Sequence, residues 1–102
     1  MRFLLIFLLL SSISVSADDK QSYQRGAQLA QSCLGCHGEF GISTSDTIPN
    51  LKGQNKEYLE YALQTYKTRE RKGGLSTLMY GHARGLSEQD IRDVTLYYSS
   101  QK

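Results

Sequence analysis

The sequence predicts an all-α domain, and three observations carry that expectation. Apolar residues recur at helical spacing in three separate stretches. The segments between them are rich in Gly, Ser, Thr and Asp, which reads as loop. No alternating strand–helix pattern leads into the cysteine pair near the start of the chain. Three main helices and their loops are therefore expected.

The chain opens with a segment that reads as an export signal over residues 1–17. Arg2 supplies the positive start, Phe3 to Leu10 is an unbroken apolar run, and Val15-Ser16-Ala17 is a small-residue cleavage site. The run falls well short of the roughly twenty apolar residues that span a bilayer. No cysteine follows the cleavage site directly, which argues against a lipid anchor. Cleavage after Ala17 would leave a mature domain over residues 18–102 without a membrane span, in a bacterial periplasm.

The first helix is expected from about Ser22 into the cysteine pair. Gly26, Leu29, Ala30 and Cys33 fall at i, i+3, i+4 and i+7, one apolar stripe ending at the first cysteine. Gly26 costs a helix about 1 kcal/mol against Ala, which a close helix crossing would justify. Gly38 to Asn50, holding the only proline, Pro49, reads as loop. A second helix is expected over Lys56 to Thr68, with Leu59, Ala62, Leu63 and Tyr66 inward and Glu57, Glu60, Gln64 and Lys67 outward. The basic run Lys67, Arg69, Arg71 and Lys72, followed by Gly73-Gly74, reads as its stop. Met79, Tyr80 and His82 then fall in an expected loop. The last helix opens at Ser87, where Ser87 with Asp90 resembles a capping box and Leu86 with Ile91 a hydrophobic staple. Its buried side should hold Ile91, Val94, Thr95 and Tyr98, with Tyr97 at the edge.

The 102 residues carry a net charge of only +2, so nothing points to nucleic acid or a strongly anionic partner. The mature domain is too short to build a comfortable core by itself. A covalently held apolar cofactor would act as a staple, and the chain without it should fold poorly.

Such a cofactor is what Cys33-Leu34-Gly35-Cys36-His37 specifies. Cys-x-x-Cys-His is the attachment signature of c-type haem. Thiols three positions apart on one helical turn can each form a thioether to a haem vinyl, and His37 then offers its imidazole to the iron. A disulfide or a thioredoxin-like redox pair are the competing readings. A zinc site of four cysteines is excluded, because only two cysteines exist. The second axial position has two candidates, Met79 and His82. A thioether is a soft ligand that favours ferrous iron and raises the reduction potential; His82 would make a bis-His haem of lower potential.

With these residues in view the chain resembles a small class I c-type cytochrome. It is similar to the compact bacterial subgroup that includes the single domains of cytochrome c4 and the haem subunit of flavocytochrome c sulfide dehydrogenase. The matching segments are Gly26 with Cys33 to Gly38, Pro49 to Gln54, Tyr58-Leu59, Lys67 and Arg71, then Met79, Gly85-Leu86-Ser87, Ile91 and Tyr97-Tyr98. The resemblance implies the small cytochrome c fold around one covalent haem c. It also implies that the Pro49 carbonyl accepts a hydrogen bond from His37, which makes that ligand more basic. Leu51 is implied to pack on the haem face, Gly26 to let the first helix cross the last beside Tyr97, and Met79 to be the distal ligand. One departure stands out: Arg69 occupies a position where the subgroup often has glycine, so the loop after the second helix should differ.

The expected function is single-electron transfer, Fe(III)/Fe(II), by a periplasmic monohaem cytochrome that is not itself an enzyme. Its partners would be redox proteins, such as a membrane oxidase or reductase. The alternative is a dedicated haem subunit that takes electrons from a flavoprotein. A haem sensor or peroxidase-like protein with an open iron would need Met79 not to bind, and the sequence offers no distal acid–base pair for it. The basic run from Lys67 to Lys72 would steer an acidic partner, or be a solvated helix end. Tyr58, Tyr61 and Tyr80 would line a partner site or cover the haem.

Overall fold

Five α-helices order residues 17–102, the part of the chain that the computed structural model describes: α1 Ala17–Leu29, α2 Leu34–His37, α3 Lys56–Lys67, α4 Ser76–Arg84 and α5 Glu88–Ser99. The expected export segment lies outside the described residues except for Ala17. Of the three main helices anticipated, α1, α3 and α5 are the counterparts, and no strand occurs among the described residues.

α1 is helical from Ala17 onward rather than from Ser22, and it does not run unbroken into the cysteine pair. It ends at Leu29 and passes through a tighter turn, Ala30–Ser32, where the Cys33 N–H donates to Ala30 O at 2.9 Å. The apolar stripe survives the break. Gly26 and Ala30 are buried, and Leu29 and Cys33 pack against the core formed by Ala30, Leu59, Val94 and Tyr98.

α1 crosses α5 at Gly26. A Cβ there would lie 2.0 Å from Asp93 O and 2.9 Å from Tyr97 Cβ, so only glycine lets the two backbones meet. Around the crossing, the Ser22 hydroxyl donates to Asp93 Oδ1 at 2.5 Å and Gln89 Nε2 to the same oxygen at 2.7 Å, while Arg25 Nε lies 3.5 Å from Asp93 Oδ2. Asp93, 1% exposed, is thus a buried carboxylate with its own set of donors, which helical periodicity did not anticipate. Gly26→Ala would gain about 1 kcal/mol of helix propensity. It would also force backbone apart, and overpacking of this kind costs about 1–3 kcal/mol or more. We expect the clash to win and thermal unfolding of the haem-loaded protein to fall by roughly 5–10 °C. A melting temperature that stays level or rises would mean a looser crossing.

α3 begins at Asn55, whose side chain accepts from the Tyr58 N–H at 3.1 Å. Leu59 and Ala62 are buried and Leu63 and Tyr66 half-buried, as expected, with Thr65 buried beside them. Its end differs from the sequence expectation. The stop is not Gly73-Gly74 but a Schellman turn at Arg69, which stands at φ 61. The Arg69 N–H donates to Tyr66 O at 3.2 Å and the Glu70 N–H to Thr65 O at 2.9 Å. Gln64 and Lys67 are not simply solvated either: Gln64 Nε2 donates to Glu88 Oε2 at 2.7 Å and Lys67 Nζ to Leu86 O at 2.6 Å. α3 is thereby bolted to the corner between α4 and α5.

The segment expected as a loop around Met79, Tyr80 and His82 is in fact helix α4. Its start has no side-chain cap and it contains Gly81, so nothing local announces it. Packing specifies it instead: Ala83 is 0% exposed. α5 has the anticipated capping box, with the Asp90 N–H donating to Ser87 Oγ at 3.0 Å and the Ser87 N–H to Asp90 Oδ2 at 2.9 Å. Its buried side holds Ile91, Val94, Thr95 and Tyr98, while Tyr97 sits half-buried at the edge against Tyr23, ring centroids 5.3 Å apart.

Candidate functional site

The loop between α2 and α3 folds back on itself before it reaches the site. Leu51 and Lys52 donate their N–H groups to Gly41 O at 2.8 and 3.1 Å, and the Ser43 N–H donates to Asn50 Oδ1 at 2.7 Å. The Gly53 N–H then donates to Tyr98 O at 2.9 Å, tying the loop to α5. At its other end Gly38 stands at φ 78, where a Cβ would lie 1.8 Å from Ile42 O. These bonds bring residues 49–51 over α2, at least 12 positions earlier in the sequence.

There they wall a cavity of ≈ 370 Å³ together with α2, α3, α4 and α5. All six residues singled out for the site line it: Cys33, Cys36, His37, Pro49, Leu51 and Met79. His82 lines it as well. The remaining wall is mainly apolar, drawn from Leu29, Leu59, Leu63, Leu86 and Val94 among others, with Arg71 as the one Lys, Arg, Asp or Glu among the described residues on it. The cavity falls in the ordinary size range of cofactor sites.

His37, 7% exposed, places Nδ1 2.8 Å from Pro49 O. A carbonyl only accepts, so Nδ1 carries the proton and Nε2 keeps its lone pair. The bond holds the ring in one orientation and makes Nε2 the available ligand atom. Cys33 and Cys36 are both free thiols, the first half-buried and the second exposed. Burial pushes the Cys33 thiol above its ordinary pKa, against the smaller opposing effect of the Ser32 hydroxyl. Burial likewise raises the Tyr98 phenol behind it. Met79 is half-buried on α4, whereas His82, one turn further along, is exposed.

Three cations of the basic run, Lys67, Arg69 and Arg71, make contacts within the chain. Besides the Lys67 bond to Leu86, the Arg71 guanidinium carbon lies 5.1 Å from the Tyr66 ring centroid and that of Arg69 5.9 Å from the Tyr80 ring centroid. Of the three tyrosines in question, Tyr58 lines the cavity and is 46% exposed, Tyr61 is 68% exposed and off the cavity wall, and the Tyr80 hydroxyl donates to Arg71 O. Arg71 on the wall, the helical setting of Met79 and the Tyr80 bond were not read from the sequence. The tertiary contacts that define them have no local signature.

An all-helical fold that encloses an apolar cavity, with two thiols and a tautomer-fixed imidazole on its wall, defines a covalent haem protein. The chain belongs to the cytochrome c family, whose model matches residues 23–102. It is 46% identical to cytochrome c-554(548) of Halomonas halodenitrificans over 69% of this chain and 84% of that protein. It is 40% identical to the cytochrome subunit of sulfide dehydrogenase of Chlorobaculum tepidum over 74% of this chain and 66% of the subunit. With cytochrome c4 of Stutzerimonas stutzeri it shares 34% identity over 97% of this chain, which spans about half (49%) of that relative. The chain is a monohaem electron-transfer cytochrome with a covalently bound haem c, an electron carrier or a non-catalytic electron-transfer subunit. No helix among the described residues is long and apolar enough to cross a membrane.

Proposed function

We propose that this protein is a periplasmic electron carrier in which Cys33 and Cys36 form the two thioethers and His37 and Met79 the two axial ligands. The residues present suit that group: two thiols, a free imidazole nitrogen and a thioether on one apolar wall. The observation that carries the reading is the His37 Nδ1 contact with Pro49 O, because it leaves Nε2 as donor within the same cavity that Met79 lines. When bound, the haem supplies a one-electron Fe(III)/Fe(II) couple. The chain's own residues do the rest. Pro49 fixes the His37 ring, Leu51 and the leucines of α3 exclude water, and Arg71 offers a cation to an acidic group of the cofactor. Met79, as a soft thioether ligand to the iron, would favour the ferrous state and would close the site to exogenous ligands. Residues 1–17 would direct export and be removed in the course of it.

The second reading, a dedicated haem subunit docked on a flavoprotein, is favoured by one feature. Tyr58, Leu75 and Leu78 line the cavity and remain 46%, 49% and 61% exposed, so an apolar rim surrounds its mouth. Shuttles use small, charge-steered contacts, and permanent subunits larger apolar ones. Arg71 is exposed on the cavity wall and Arg69 is exposed beside Tyr80. For a shuttle steered by them, electron transfer to its acceptor is expected to slow several-fold as salt rises from about 0.01 to 1 M, where the Debye length shrinks from about 30 to 3 Å. Charge reversal at Arg69 and Arg71 should flatten that dependence. A rate indifferent to salt in the wild type, with co-elution of a flavoprotein from periplasmic extract, would establish the subunit instead.

A further inference from the structure

Arg69 occupies the one position in the Schellman turn that favours glycine, at φ 61. Ending α3 needs no side chain there. Yet the Arg69 guanidinium carbon lies 5.9 Å from the Tyr80 ring centroid, and the Tyr80 hydroxyl donates to Arg71 O, two residues beyond the turn. Both contacts join the exit of α3 to α4 at the residue that follows Met79. α4 carries two side chains able to bind iron, Met79 and His82, three residues apart on the face that lines the cavity. A rotation of about 60° together with a slide of about 4.5 Å along the axis of α4 would exchange one for the other. Two residues beyond its far end the chain is held by Lys67 on Leu86 O at 2.6 Å. Near Met79 the side-chain ties between the α3 exit and α4 are Arg69 and Tyr80.

We propose that Arg69 and Tyr80 are positioning residues that clamp α4 so that Met79, and not His82, is presented to the iron. The inference rests on the assignment of Met79 as ligand made above. It explains why a residue that strains the turn stands where glycine would relax it: the side chain is used on α4.

Two variants of the haem-loaded protein test the clamp. Arg69→Gly relaxes the left-handed backbone, so a purely structural role predicts an equal or higher melting temperature with an unchanged axial spectrum. The clamp predicts a weakened sulfur–iron charge-transfer band in the oxidised protein at that same or higher melting temperature. It also predicts that imidazole binds roughly tenfold more tightly, the factor that corresponds to about 1.4 kcal/mol. Tyr80→Phe keeps the ring and removes only the hydroxyl; it should shift band and imidazole affinity the same way. Adding His82→Ala to Arg69→Gly should remove any bis-imidazole species that the single variant forms. Unchanged band intensity and imidazole affinity in both single variants would overturn the clamp. A wild-type protein without the sulfur–iron band would instead overturn the Met79 assignment, and the clamp with it.

Discussion

Replacing both thiols, Cys33→Ser with Cys36→Ser, is expected to yield a chain that neither retains haem nor unfolds cooperatively. The first half follows from chemistry. A hydroxyl does not replace the thiol in the thioether bond, so haem should leave on acidic-acetone extraction, whereas wild-type protein matured by the c-type assembly machinery should hold it. The second half follows from packing. The buried hydrophobic side chains among the described residues are few: Ala30, Leu59, Ala62, Ala83, Ile91, Val94 and Tyr98, three of them alanine. Much of the remaining apolar surface, including Leu51, Leu63 and Leu86, faces the cavity and gains burial only against something that fills it. Small domains in this position depend on a staple. Calorimetry of the double variant should show no sharp transition, and haem extracting freely from the wild type would end the covalent reading.

The second large effect concerns the sixth ligand. Met79→Ala should abolish the weak sulfur–iron charge-transfer band at the red edge of the oxidised spectrum and open the iron to cyanide or carbon monoxide. It should also lower the reduction potential by on the order of 0.1–0.2 V, within the roughly 0.8 V that axial ligands span. His82→Ala should leave band and potential close to wild type. Both side chains line the cavity, so position alone does not choose between them. Met79 is favoured because it is half-buried while His82 is exposed, and because a flexible thioether adapts readily to a metal. The opposite pattern, with His82→Ala doing the damage, would mean a bis-His haem of lower potential and would sink the simple shuttle.

What was legible in the sequence was what neighbours along the chain decide. Cys33, Cys36 and His37 announce themselves in five consecutive residues, and the Ser87–Asp90 cap and the buried side of α5 follow from spacing alone. Pro49 and Leu51 were reachable through resemblance but not through periodicity, since a loop held by Gly41 and Tyr98 carries them to His37. Nothing local marks α4 as helix, since it lacks a capping side chain and contains Gly81; burial of Ala83 and the Tyr80 bond to Arg71 come from the tertiary fold. Asp93 was missed for the opposite reason. A carboxylate on a helix face looks solvated until a serine some seventy residues away supplies its hydrogen bond. The basic run misled in a third way. Arg69 ends α3 in a conformation that glycine usually takes, so the true stop was hidden and Gly73-Gly74 stood out in its place.

A spectroelectrochemical titration of the wild-type protein tests the central claim most directly, that His37 and Met79 hold a single haem for one-electron transfer. One Nernstian one-electron step is predicted, with the sulfur–iron band present in the oxidised protein and vanishing in proportion to iron reduction. An oxidised protein without that band, or a reduced one that takes up carbon monoxide without displacing a ligand, would contradict the account.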